Sequence, residues 1–102
     1  MKSESLHQAP IDLENIIDHL ARQLSPKRIW LFGSRAAKNA KSHSDFDLAL
    51  ENGNASFREF RKAKEHVNQM AGIYTVDLIE LEKADSKFAK MVKKNGKVLY
   101  EK

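Results

Sequence analysis

Hydrophobic and polar positions divide the chain into alternating stretches of helical and strand period. Over residues 11–24, Leu13, Ile16, Ile17, Leu20, Ala21 and Leu24 recur at three- and four-residue steps, which predicts an amphipathic helix. Pro10 suits its first position, Asp12 and Glu14 stand in the first turn where the macrodipole favours anions, and Pro26 ends it. Residues 27–32 read as a short strand whose unbroken run Ile29, Trp30, Leu31 and Phe32 implies burial on both faces. Gly33 closes that strand, and Ser34 is placed to cap a short helix to about residue 41.

A second strand follows over residues 45–51. Its period of two puts Phe46, Leu48 and Leu50 on one face and Asp45, Asp47 and Ala49 on the other. After a turn at Asn52-Gly53-Asn54, Ser56 and Glu59 form a capping-box pattern opening a helix with Phe57, Phe60, Ala63, Val67, Met70 and Ala71 on one side, and Gly72 stops it. The strand over 74–81 alternates again, with Val76 and Leu78 opposite Thr75, Asp77 and Ile79. A last helix over 85–95, carrying Phe88, Met91 and Val92, ends at Gly96 before a final strand of Val98, Leu99 and Tyr100. The order predicts a single α/β domain of the α+β type over residues 1–102: a small mixed sheet, helices packed on one face and the acidic site on the other.

The totals narrow this. A chain of 102 residues can bury roughly 60–70 % of its unfolded surface, enough for one core and too little for a separate substrate domain. With no cysteine there is neither a disulfide framework nor a thiolate nucleophile or metal site. The opening MKSESLHQAP has no apolar targeting region and no run is long enough to span a bilayer, so cytoplasm is the expected compartment and no membrane partner is expected. A net charge of +4 with 31 % charged residues suits a nucleotide, a nucleic acid or an acidic protein alike.

The chemistry concentrates in residues 33–50. Two carboxylates about 4 Å apart repel by about 4 kcal/mol at an effective dielectric of 20, a large part of a small domain's stability. Asp45 and Asp47 therefore call for a counter-charge, and a hard divalent cation completed by phosphate oxygens supplies one. If the strands of Asp47 and Asp77 are neighbours, a third acid joins them, and three acids beside a phosphate site suit two-metal phosphoryl or nucleotidyl transfer. Gly33 lets a phosphate approach the backbone, Ser34 and the N–H groups after it donate to its oxygens, and Arg35 adds a charge-assisted contact. Taken singly, a Gly-Ser turn is usually structural and an acid pair at a strand start is often a solvated edge. The conjunction carries the reading.

Gly33-Ser34, ten residues, then Asp45-Phe46-Asp47-Leu48, with a later Val76-Asp77-Leu78 strand, resembles the DNA polymerase β type of nucleotidyltransferase and, within it, the minimal nucleotidyltransferase (MNT) domain. Asn95-Gly96-Lys97-Val98-Leu99-Tyr100 is also similar to the end of that domain. The resemblance implies the nucleotidyltransferase fold, with triphosphate at Gly33 and Ser34, two Mg²⁺ ions held by Asp45, Asp47 and Asp77, and Asp77 helping to activate the attacking hydroxyl. It implies transfer of a nucleoside monophosphate, AMP from ATP, to a hydroxyl of a partner protein, and a HEPN-domain ribonuclease toxin as that partner, in a homo- or hetero-oligomer. The chain departs from the family's pattern at Ala37-Lys38, where Arg-Gly is common. The rival expectation is an antitoxin of weak or no activity that neutralises its partner by steric binding.

The remaining polar features are weaker. Lys83, Lys87, Lys90, Lys94 and Lys97, like Arg58, Arg61, Lys62 and Lys64, read as solvated helix faces, so nucleic acid is not the favoured partner. His7, His19, His43 and His66 show no ligand spacing, and Trp30 reads as a packing residue.

Overall fold

The computed structural model describes residues 11–36, 45–53 and 55–102. Pro10, Ala37-Lys38, His43 and the rest of the expected short helix lie outside the described residues. The elements are α1 (Leu13–Leu24), β1 (Arg28–Phe32), a 3-10 turn (Gly33–Arg35), β2 (Phe46–Glu51), α2 (Phe57–Met70), β3 (Val76–Glu80), a second 3-10 turn (Leu81–Lys83), α3 (Ser86–Asn95) and β4 (Lys97–Glu101).

Local chemistry accounts for most of the boundaries. Asp12, expected within the first turn of α1, is instead its N-cap, accepting from the Asn15 N–H at 3.2 Å. Ser25 leaves the helix in the left-handed region ahead of Pro26. Both halves of the Ser56 and Glu59 capping box form, each at 3.1 Å, at the start of α2. Gly72 turns the chain with φ +67 before β3, where a non-glycine residue would be strained. The turn after β1 starts two residues earlier than expected: Phe32 is the N-cap and Gly33, with φ +76, bends the chain directly out of the strand, so Ser34 lies inside the turn instead of at its cap position.

The sheet order is β3-β2-β1-β4. β1 runs antiparallel to both β2 and β4, and β2 runs parallel to β3, which is reached through α2. The main core lies on one face of the sheet, where Ile29, Leu31, Phe46, Leu48, Leu50, Val76 and Leu78 meet α1 and the Ala63 and Val67 side of α2. The other face, which carries Asp47, is not bare. Trp30, Phe32, Ala49 and Ile79 also point that way and need cover, and α3 supplies it through Phe88, Ala89 and Val92, with Phe32 and Phe88 edge to face at 5.5 Å. The unbroken apolar run of β1 thus serves two cores.

A buried acid ties the far end of this second face together. The Glu51 carboxylate, only 6 % exposed, accepts from Trp30 Nε1 at 2.9 Å and from Arg28 at 3.0 Å, with Lys93 Nζ of α3 at 3.9 Å. Arg28 also donates to Glu101 at 2.8 Å, so β1, β2, β4 and α3 meet at one charge cluster. Burial pushes the Glu51 carboxyl up, but the Trp30 and Arg28 hydrogen bonds and the Lys93 charge outweigh it and hold the group below the usual glutamate range. A lowered folded-state value adds stability above the unfolded value of 4.5, and that stability is lost as pH falls through the folded value. Glu51→Gln is therefore expected to lower stability in urea at pH 7 by an amount on the order of 1–3 kcal/mol for a buried hydrogen-bonded charge, and to approach wild type as pH falls through the folded-state value, below 4.5; a loss that does not shrink as the pH is lowered counts against this role.

Candidate functional site

Strand register assembles the site. In the parallel pair Asp47 lies opposite Asp77, and in the antiparallel pair Phe32, the last residue of β1, lies opposite Asp47. Residues paired in register point to the same face, so the end of β1, the start of β2 and the start of β3 meet where the Gly33 turn leaves the sheet. Asp45 stands just before β2 and is exposed, Asp47 is half-buried and Asp77 is exposed.

Gly33 and Asp47 are in intimate contact. A Cβ added at Gly33 would clash with an Asp47 carboxylate oxygen, so both the positive φ and this approach favour glycine there. The expectation that Gly33 serves close approach therefore has a concrete object in the protein itself: the turn packs its backbone against the central acid. Burial first, then the negative charges of Asp77 and Asp45, push the Asp47 carboxyl above its ordinary value.

Asp77 has a partner that the sequence did not single out. Lys64, on the second turn of α2, places Nζ 3.8 Å from its carboxylate, with both side chains about half exposed. A turn further along α2, Asn68 donates to the Val76 carbonyl and accepts from the Val76 N–H, both at 2.9 Å, and so clips the helix to the start of β3. The signal for both contacts was the short turn at Gly72, which folds α2 back beside β3 and places its i, i+4 positions along that strand. Arg35 lies with its guanidinium 4.2 Å from the centre of the Phe46 ring and 5.8 Å from that of Tyr74. His19 and His66, which show no spacing in the sequence, are brought together between α1 and α2 with ring centres 4.2 Å apart.

The arrangement suits a hard cation in its chemistry. Asp47 has no ion pair among the described residues, its carboxyl is pushed up by burial and then by two like charges, and hard oxygen donors are what Mg²⁺ prefers. Among the described residues no three His, Cys, Asp or Glu side chains converge closely enough to form a ready metal cage.

A family model, that of the polymerase beta nucleotidyltransferases, matches residues 14–102. The chain belongs to this family. No curated protein matches the chain. Among solved structures, this nucleotidyltransferase-family chain is similar to a toxin–antitoxin crystallised with AMP-PNP, at 28 % identity and TM-score 0.70 over 87 % of this chain and 73 % of that one. It is also similar to a complex of an MNT antitoxin with a tri-AMPylated HEPN toxin from Shewanella oneidensis, at 25 % identity and TM-score 0.65 over 87 % and 69 %. A further Shewanella oneidensis structure, 18 % identical with TM-score 0.64 over 88 % of this chain and 68 % of that one, shares the fold.

Two outcomes follow from the Gly33 and Asp47 contact. Gly33→Ala is expected to destabilise by more than the ~1–2 kcal/mol of a left-handed alanine, and Asp47→Ala in the same chain should remove the excess; a strictly additive double-mutant cycle in urea counts against the contact. Because its folded-state value is raised, Asp47 in its charged form is a cost at pH 7 that disappears as pH falls below 3.8, the unfolded value. Asp47→Asn should raise the metal-free urea midpoint at pH 7 and leave it unchanged near pH 3.

Proposed function

We propose that the protein is a Mg²⁺-dependent nucleotidyltransferase that moves AMP from ATP to a hydroxyl of a partner protein, and that the partner is a HEPN-type toxin. The observation that carries this reading is the in-register pairing of Asp47 with Asp77 beside the glycine turn, in a chain of the polymerase beta family. The likeness to an MNT antitoxin bound to an AMPylated HEPN toxin, and to a toxin–antitoxin crystallised with AMP-PNP, supports the choice of partner and nucleotide.

In this reading Asp45 and Asp47 hold the metal ions with the triphosphate, and Asp77 completes the set. When bound, the metal supplies charge neutralisation for the carboxylates and for the phosphate oxygens. The Gly33-Ser34 backbone receives the triphosphate, and Arg35 offers a cation at the same turn. Asp77, exposed at the strand edge, takes the acceptor hydroxyl's proton as its oxygen bonds to the α-phosphorus, while the bond to the bridging oxygen breaks and pyrophosphate departs. The work of the chain is positioning and charge, as in-line phosphoryl transfer requires; no nucleophilic side chain is needed. Leaving Asp77 free for this costs little, since an exposed pair such as Lys64 with Asp77 contributes at most about 1 kcal/mol.

The second reading is an antitoxin that neutralises its partner by binding alone. It is favoured by the Lys64 pairing of Asp77 and by the absence, among the described residues, of a ready three-acid cage. Incubation with α-labelled ATP, Mg²⁺ and a HEPN toxin is expected to label the toxin, and Asp45→Asn with Asp47→Asn to reduce the label at least about 100-fold, the scale of losing transition-state charge stabilisation. No label from the native chain defeats the enzyme reading, and full neutralisation of the toxin by the unlabelling variant establishes the binding one.

A further inference from the structure

Positive charge is concentrated in one part of the molecule. Residues 83–102 carry seven lysines against Asp85 and Glu101, a net charge of +5, while residues 1–82 carry eleven lysines and arginines against twelve acids, a net of −1. The whole positive excess of the chain therefore lies in α3, β4 and the turn before them, an asymmetry of the kind that accompanies contact with a polyanion.

In the sequence these lysines read as a solvated face, and the fold separates the ones it uses from the ones it does not. Lys83 pairs with Glu80 at 2.9 Å, and Lys93 reaches the Glu51 carboxylate at 3.9 Å. Phe88, Ala89 and Val92 turn to the sheet. At the helical period Lys87, Lys90, Met91 and Lys94 fall on the opposite side of α3, and all four are exposed, Met91 by 39 %. No acid shares that face. The acids of residues 80–102 are engaged elsewhere: Glu80 with Lys83, Glu82 with the Asn52 N–H at 2.9 Å, Asp85 as N-cap with the Lys87 N–H at 3.1 Å, and Glu101 with Arg28. Among the described residues Lys87, Lys90 and Lys94 make no ion pair. Like charges three and four residues apart oppose the helix, and Lys87 stands in the first turn, where the macrodipole disfavours a cation. No acid on this face offsets either effect.

We propose that the outer face of α3 is a binding surface for nucleic acid, held through its phosphate backbone by Lys87, Lys90 and Lys94. The three lysines span roughly 10 Å of helix at 1.5 Å per residue, a continuous row of cations. Lysine meets a phosphate as a point charge and reads no base, so the binding is indifferent to sequence. The composition of the face decides between polyanions. Protein interfaces are depleted in lysine and enriched in aromatic residues and arginine, and this face has three lysines and neither of the others. A helix that lies on a lipid surface needs an apolar side free to enter it, and that side of α3 is packed on the sheet. Met91, between the lysines, adds a contact that only an unpaired strand can use: its thioether sits favourably against aromatic rings, and base faces are open to it where the strand is single. The surface uses none of the residues of the transfer reading and stands or falls apart from it.

The test titrates the whole chain, without Mg²⁺ or nucleotide, into fluorescent oligouridine, oligothymidine and a DNA duplex of equal length, and follows anisotropy as salt is raised. For the single strands, three phosphate contacts give a slope of about −2 in the logarithm of the association constant against that of salt, a loss of roughly 20-fold between about 50 and 200 mM. Each of Lys87→Gln, Lys90→Gln and Lys94→Gln should reduce that slope by about 0.7, and the three together should weaken binding at least tenfold. Glutamine matches lysine in helix propensity, so α3 is retained. The same change of net charge on α2, in Arg58→Gln, Arg61→Gln and Lys62→Gln, should leave slope and affinity as they are. Tighter binding of oligouridine than of oligothymidine identifies the ligand as RNA, and equal binding identifies the backbone common to both. A loss on Met91→Ser that is confined to the two single strands identifies the unpaired form. Equal effects of the α3 and α2 variants, or a polyglutamate of matched charge that binds as tightly as the strands, overturn the proposal.

Discussion

The parallel pairing of β2 with β3 is the constraint on which the rest of this molecule turns. Strands in a sheet lie about 4.8 Å apart, so setting Asp47 opposite Asp77 puts two carboxylates at repulsive distance by construction. A parallel neighbour cannot be reached by a tight turn and demands a crossover connection. α2 is that crossover. Its length brings Lys64 and Asn68 alongside β3, its caps set where the strand begins, and its inner side completes the main core. The acid pairing, the crossover helix and the core are therefore one arrangement seen at three scales.

What the molecule does with the repulsion explains the two sides of the site. Asp47 is pressed between the Gly33 backbone and the sheet and carries the largest burden, its carboxyl pushed up by burial and by both neighbouring acids. Asp77 sits in solvent and finds a lysine. Glu51, on the same face of the same strand as Asp47, has the opposite fate: it is more deeply buried yet held charged, because Trp30, Arg28 and Lys93 converge on it. One strand face thus carries one acid compensated by the fold and one left for something outside the fold to compensate. The contrast separates an acid that helps hold the sheet from one that keeps two like-charged neighbours.

Much of this was legible in the sequence, for identifiable reasons. The alternation of Phe46, Leu48 and Leu50 with Asp47 and Ala49 sorted the faces of β2 because side-chain period in a strand is two. Ser56 with Glu59, and Gly72, marked the ends of α2 because caps are local chemistry. The strand order was not legible, since nothing local to Val98–Tyr100 says that it pairs with β1. The cover of the acidic face by α3 was missed for a related reason: Trp30 and Phe32 announced a second buried face, but the helix that buries it lies some sixty residues away. Lys64 read as part of a solvated helix face and Asn68 drew no notice, because their partners, Asp77 and Val76, come into reach only through the turn at Gly72. Gly33 announced a close approach to the backbone, but that Asp47 is what approaches it follows only from the fold.

The unequal division of the core has a further consequence. Among the described residues, seventeen buried side chains form the cluster beneath α1 and α2, and four form the one beneath α3. Cooperative units of a protein open in the order of the apolar area they would expose, so α3 is the layer that can detach while the α1–α2 side stays intact. The acids belong to the sheet and not to α3, which means their spacing survives such an opening. The chain is in effect a rigid plate with a removable cover, and surface change in the last helix can be tolerated, or selected, at little cost to the geometry that Asp47 and Asp77 share.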